Sequence, residues 1–212
     1  MKIFAVGSNY AQHNKNANSA LLSKQQEPDT ERKPVIFLKA DSSLLKDRKP
    51  FFVPDFMGRI DYEAEIVVRI CKLGKCIPER FASRYYDAVT VGIDFTARDM
   101  LDELKKNGMP WDLAKGFDGA AVIGEWLGKE QIGDVDALDF KLDINGNTVQ
   151  RGNTADMLLK IDKLISYISQ YYTLKTGDIL FTGTPDETGP VSIDDHIEGY
   201  VEGRKVLEFN CK

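Results

Sequence analysis

Residues 60–70 read IDYEAEIVVRI. β-Branched and aromatic residues dominate this run, as a strand requires. Alternate side chains of a strand point to opposite faces. Tyr62, Ala64, Ile66 and Val68 then form one apolar face, which is expected to be core. Asp61, Glu63 and Glu65 share the other. Each i, i+2 step separates Cα atoms by roughly 7 Å, and carboxylates this close repel unless water, protons or a cation intervene. A hard divalent cation would turn the repulsion into a site, because Mg2+ and Ca2+ take carboxylate oxygens. E-x-E is a common pattern, however, and on this motif alone a solvated strand face is the expected reading.

Working outward, strand-like runs occupy residues 2–6, 35–39, 87–95, 138–144, 148–151, 178–181 and 205–209. Asn145-Gly146 separates two of them and predicts a type I′ hairpin, since both central residues must tolerate positive φ. Helical patterns are fewer. Residues 96–106 (TARDMLDELKK) have Thr96 as a candidate cap and end before Asn107-Gly108. Residues 157–171 place Leu158, Ile161, Leu164, Ile165 and Ile168 on one apolar face, with Asn153 or Thr154 as candidate caps. Many strands and few helices predict a β-rich α+β fold. Nothing reads as an interdomain linker, so residues 1–212 are expected to form a single domain. Residues 18–34 (NSALLSKQQEPDTERKP) are polar and carry two prolines, which suits a solvated loop or a mobile lid.

The 212 residues are 42% hydrophobic and 29% charged, as in ordinary globular chains. Lys and Arg number 28 against 33 Asp and Glu, a net charge of −5. No dense basic block exists, so nucleic acid is not an expected partner. No apolar run approaches the roughly 18 residues of a membrane span. Cys71, Cys76 and Cys211 are odd in number and form no CxxC, so a disulfide scaffold is not predicted. The N-terminus lacks the long apolar core of a signal peptide. A reducing cytoplasm is the expected location.

Further segments carry chemistry. In VGIDFTARD, residues 91–99, Asp94 closes an apolar strand just before a helix, a position that often holds functional groups and also suits a cap. In WDLAKGFDG, residues 111–119, Lys115 lies between apolar residues and a glycine. A lysine in a partly dry site can anchor an anion or act as a base. LFTGTPDETGPV, residues 180–191, is a turn whose N–H groups could bind an anion, but no G-K-[ST] follows and it is not a P-loop. The two histidines are His13, in GSNYAQHNKN, and His196, in DDHIEG. Asp194-Asp195-His196 is expected to be a solvated turn.

Taken in order, GSNYAQH, KPVIFLKADSSL, DYEAEIVV, GIDFTARD, PWDLAKGFDGA and GDILFTGTPDETGPV resemble the fumarylacetoacetate hydrolase family, and within it the small acylpyruvase-like members. The resemblance implies that family's mixed β-sandwich roll and a homodimer. It also implies a divalent cation, Mg2+ or Mn2+ with Ca2+ as a crystal substitute, held by Glu63, Glu65 and Asp94. Lys115 corresponds to the family's site lysine, Arg98 and Thr184 to its substrate-contacting residues, and His13 to the lid histidine that activates water. The implied substrates are small 2-oxo or β-dicarbonyl acids. The implied reaction is hydrolysis of an acylpyruvate- or fumarylpyruvate-type C–C bond.

Three positions depart from the family pattern. Asn16 stands where hydrolytic relatives have the glutamate that orients the lid histidine, with Glu27 and Glu31 as candidate substitutes. Leu101 replaces a substrate-touching glutamine. Glu187 and Thr188 interrupt the usual TGTP-x-GVGP turn. The loss at Asn16 favours an alternative, decarboxylation of an oxaloacetate-type acid or isomerisation of a 2-hydroxy-diene-dioate, because neither needs water attack. A non-catalytic metal or oxo-acid binding protein is the remaining reading.

Overall fold

The computed structural model describes residues 1–10, 33–45 and 49–212. The chain opens with β1 (Ile3–Gly7), β2 (Val35–Lys39) and β3 (Leu44–Leu45), followed by β4 (Ile60–Tyr62) and β5 (Ala64–Ile70). A short helix α1 (Glu79–Ala82) leads into β6 (Tyr86–Asp94), β7 (Thr96–Ala97), α2 (Arg98–Lys106) and α3 (Asp112–Lys115). Next come β8 (Ala121–Ile123), β9 (Leu127–Gly128), β10 (Asp139–Ile144), β11 (Asn147–Asn153) and α4 (Ile161–Tyr171). The remainder is β12 (Ile179–Phe181), β13 (Gly189–Pro190), β14 (His196–Val201) and β15 (Arg204–Asn210).

The largest sheet runs β2-β1-β12-β5-β6-β8-β3, with β9 beside β6. It is mixed: β1–β12 and β3–β8 are parallel, and its other pairs are antiparallel. Apolar side chains are buried on both faces of its central strands. Phe4, Val6, Ile66, Val68 and Leu180 join the main core, while Ile3, Ala5, Val67, Ile179 and Phe181 fill the other side as the sheet curls. A sheet covered on both faces reads as near-continuous hydrophobic sequence, which is why these segments were recognisable as strands. A four-stranded antiparallel sheet, β11-β10-β14-β15, packs against the first. The result is a β-rich α+β roll. Among the described residues no helix is long and apolar enough to cross a membrane.

Several sequence expectations hold. Asn145 and Gly146 have φ of 52° and 78° between β10 and β11, as a type I′ hairpin demands. Others need correction. The helix expected from residue 157 begins at Ile161. Leu158 N–H donates to Asn9 O and Leu159 N–H to Asn9 Oδ1, so tertiary hydrogen bonds hold the preceding segment out of the helix. Asn153 caps a 3-10 turn over residues 154–156 instead. Thr96 is not a helix cap: it lies in β7, and α2 starts at Arg98 without a side-chain cap. His196 is the first residue of β14, so only Asp194 and Asp195 of that tail motif form the turn. Cys71, Cys76 and Cys211 are free thiols.

Aromatic packing ties the chain's middle to its end. Phe95, directly after β6, stacks on Phe51 with centroids 3.9 Å apart and meets Phe209 of β15 edge-on at 6.2 Å. All three rings are buried. Phe95→Ala is expected to lower the unfolding free energy by about 3–5 kcal/mol, measured by urea denaturation. A loss below 1 kcal/mol would mean that the stack does not hold this end of β6.

Candidate metal and oxo-acid site

Strand register builds the centre of the site. β5 pairs antiparallel with β6, with Ala64 opposite Ile93 and Glu65 opposite Gly92. β4 pairs with β7, with Asp61 opposite Thr96 and Ile60 opposite Ala97. The two stretches share one register, and between them Asp94 N–H donates to Glu63 O at 2.9 Å. Glu63 and Asp94 are therefore brought face to face from stretches thirty residues apart. The acidic face of residues 60–70 is not a solvated surface: Asp61, Glu63 and Glu65 are 1%, 6% and 1% exposed. One oxygen from each of Glu63, Glu65 and Asp94 lies within 4.8 Å of the others.

Cations surround these carboxylates. Lys115, at the end of α3, places Nζ 2.7 Å from Glu63 Oε2, 3.0 Å from Asp94 Oδ2 and 2.6 Å from Thr96 Oγ1. Burial opposes its charge, but Asp94 and Glu63 outweigh burial and raise its pKa. Arg98 donates from Nε to Asp61 Oδ2 at 2.9 Å and from Nη2 to Glu63 Oε1 at 2.6 Å. Its side chain keeps 20% of its exposure. Arg59 holds the other oxygen of Asp61 at 2.6 Å.

Lys39 was read only as the last residue of a strand. It is wholly buried, with Nζ 2.6 Å from Asp94 Oδ1, and it also donates to the carbonyls of Lys115 and Ala120. Desolvation lowers its pKa, and Asp94 works the other way. The available signal was its position, a cation closing the apolar run VIFL just as Asp94 closes another.

Glu65 receives Gly183 N–H at 2.6 Å. Its pKa is pushed well above the ordinary carboxylate range, first by burial and then by Asp94 and Glu63. A glycine is required at 183: φ is +100°, and a Cβ would come within 2.7 Å of Asn9 Cβ. Asn9 is itself buried and donates from Nδ2 to Thr182 O and Leu159 O. Thr184 lies in this loop, but its hydroxyl donates to Ala64 O at 2.8 Å and accepts from Gln150 Nε2 at 2.9 Å. Its proton is already engaged by the protein, which leaves mainly a lone pair to offer a ligand.

The residues present suit a hard divalent ion. The donor set is all carboxylate and it is buried. Burial first, and then the neighbouring Asp94 and Glu63 charges, raise the pKa of Glu65, a cost that a bound cation would relieve.

Among the described residues, Glu63, Glu65, Asp94, Lys115, Arg98 and Thr184 thus fall in one region. Leu101 is buried in the core cluster. His13, Asn16, Glu27 and Glu31 lie outside the described residues. Glu187, in the departing turn, has φ of 72°. A separate, half-buried group, His196, Glu198 and Glu208, has Lys205 Nζ between its two carboxylates at 3.0 and 2.9 Å.

The family model described as "Fumarylacetoacetate (FAA) hydrolase C-terminal" matches residues 2–210. The mouse protein named "Oxaloacetate tautomerase FAHD1, mitochondrial" is 37% identical over 210 residues, covering 99% of this chain and 91% of the mouse protein. A fumarylacetoacetate hydrolase family protein from Yersinia pestis CO92 superposes with a TM-score of 0.87 at 34% identity, over 100% of this chain and 92% of that one. A fumarylpyruvate hydrolase from Pseudomonas aeruginosa, solved with Mn2+ and pyruvate, superposes with a TM-score of 0.86 at 27% identity, over 100% of this chain and 89% of that one. With the family model spanning nearly every residue and this likeness extending over the whole chain, the protein belongs to the fumarylacetoacetate hydrolase family.

Proposed function

We propose that this chain is a divalent-cation-dependent enzyme that interconverts the keto and enol forms of a small oxaloacetate-type 2-oxo acid. The observation that carries this reading is the convergence of three buried carboxylates beside the Lys115 ammonium. The identity of about 37% with proteins named oxaloacetate tautomerase supports the choice of reaction.

Glu63, Glu65 and Asp94 would hold Mg2+ or Mn2+. When bound, such an ion polarises the substrate carbonyl as a Lewis acid. In tautomerisation a proton leaves C3 and one is delivered to the oxygen on C2, while the C–C bonds stay intact. Negative charge develops on that oxygen, and a preorganised ammonium in a dry site stabilises it with little reorganisation. Lys115 is the group placed to do so. Arg98 has guanidinium N–H groups beyond those it gives to Asp61 and Glu63, and it is the partly exposed cation suited to a substrate carboxylate.

Hydrolysis of an acylpyruvate- or fumarylpyruvate-type bond is the second reading, favoured by the likeness to the Pseudomonas hydrolase. It uses the same stabilised enolate but also needs a base for water, the role proposed for His13. The three free thiols support a reducing location such as the cytoplasm.

Charge balance gives the first test. Lys39 and Asp94 are both buried, and removing one partner of such a pair strands the other. Lys39→Met is expected to destabilise the metal-free protein by about 3–5 kcal/mol, read by chemical denaturation; a neutral effect would show that Asp94 does not depend on it. The second test is catalytic. With Mg2+ present, the protein should accelerate ketonisation of enol-oxaloacetate, and Lys115→Met should lower kcat by about 10²–10³-fold. Glu63→Ala and Asp94→Ala should abolish Mn2+ binding together with turnover. Full activity in excess EDTA would defeat the proposal. The third separates the two readings: release of pyruvate from an acylpyruvate, lost in His13→Ala while ketonisation persists, would establish hydrolysis as an additional activity.

A further inference from the structure

Gln150 lies on β11, in a different sheet from every proposed metal ligand, and is wholly buried. Its side chain crosses to the site. Oε1 accepts from Ala64 N–H at 2.9 Å. Nε2 donates to Thr184 Oγ1 at 2.9 Å, Asp186 O at 3.0 Å and Pro185 O at 3.2 Å. Thr184 Oγ1 donates in turn to Ala64 O at 2.8 Å. These contacts close a ring from Ala64 N–H through the Gln150 amide and the Thr184 hydroxyl back to Ala64 C=O.

Ala64 is the residue between Glu63 and Glu65. Both of its peptide groups are held by side chains, at the point where β4 ends and β5 begins. The same ring holds the loop whose Gly183 N–H reaches Glu65. The direction of the amide is dictated by its partners. Turned over, Nε2 would face the Ala64 N–H and Oε1 would face two carbonyls, donor against donor and acceptor against acceptor. A carboxylate could not replace it, because a carboxylate has no donor for Pro185 O and Asp186 O.

We propose that Gln150 is a positioning residue for the metal site: it sets the spacing and direction of Glu63 and Glu65 by clamping the peptide between them to the Thr184–Asp186 turn. The inference rests on the metal reading above. Outer partners that orient ligands are typically worth about 10- to 100-fold in metal affinity.

The test measures Mn2+ binding to the purified protein without substrate, by the loss of the free-ion EPR signal, alongside thermal melts. Gln150→Leu keeps bulk and removes the amide. It is expected to weaken Mn2+ binding by about 10- to 100-fold in protein that still melts cooperatively. Thr184→Val opens the same ring from its other side without touching the core of the second sheet, and it serves if Gln150→Leu does not fold. It too should weaken Mn2+ binding, and the double variant should be weakened no further than the stronger single one, as expected for one ring. A lower melting temperature with wild-type Mn2+ affinity in the variants would reduce Gln150 to a structural residue and overturn the inference. Failure of the wild-type protein to bind Mn2+ would instead overturn the metal reading beneath it.

Discussion

Burying like charges close together is the constraint that organises this molecule. Glu63, Glu65 and Asp94 lie almost out of water, with Asp61 beside them. Carboxylates in that setting are tolerated only when protonated, paired or bound to a cation. The chain uses every means available to it: Lys115 between Glu63 and Asp94, Lys39 behind Asp94, Arg98 across Asp61 and Glu63, and a raised pKa at Glu65. Much of the surrounding structure serves to hold these groups where their charges nearly cancel.

That balance links stability to reactivity. Lys115 is held by the same two carboxylates proposed to bind an ion, so ion binding and the placement of Lys115 are coupled. Lys39 is different. It donates to the backbone of Lys115 and Ala120 from a fully buried position, and it anchors the end of α3, where Lys115 lies. One lysine is thus available to respond to a ligand, while the other keeps Asp94 compensated. The proposed enolate chemistry would draw on such a site, in which positive charge already waits where negative charge would appear.

Two other loops around this centre are fixed by side-chain amides. Asn9 ties the end of β1 to Thr182 and Leu159, and Gln150 ties β11 to Ala64 and the Thr184–Asp186 turn. An amide offers donors and an acceptor without adding net charge, which suits a pocket already crowded with ions. The contacts to Leu159, Thr182 and Ala64 span more than eighty residues of chain, and those of Asn9 also explain why residues 157–160 are not helical despite their periodicity.

The order of residues alone determined five strands of the large sheet, β1, β2, β5, β6 and β12, because burial on both faces is written directly as apolar runs, but not the short β3, β8 and β9; it also determined the Asn145-Gly146 turn, because positive φ restricts residue choice. It also singled out Glu63, Glu65, Asp94 and Lys115 as candidates, but only the resemblance to the family gave them roles. Only the tertiary structure decided that the acidic face of residues 60–70 is interior, that Lys39 is the second ammonium, that Thr184 spends its proton on Ala64, and that Gln150 reaches the site at all. The physical reason is range. Periodicity and turn preference act over a few residues, whereas register between strands, burial of charge and side-chain hydrogen bonds between sheets depend on which distant segments the completed core brings together.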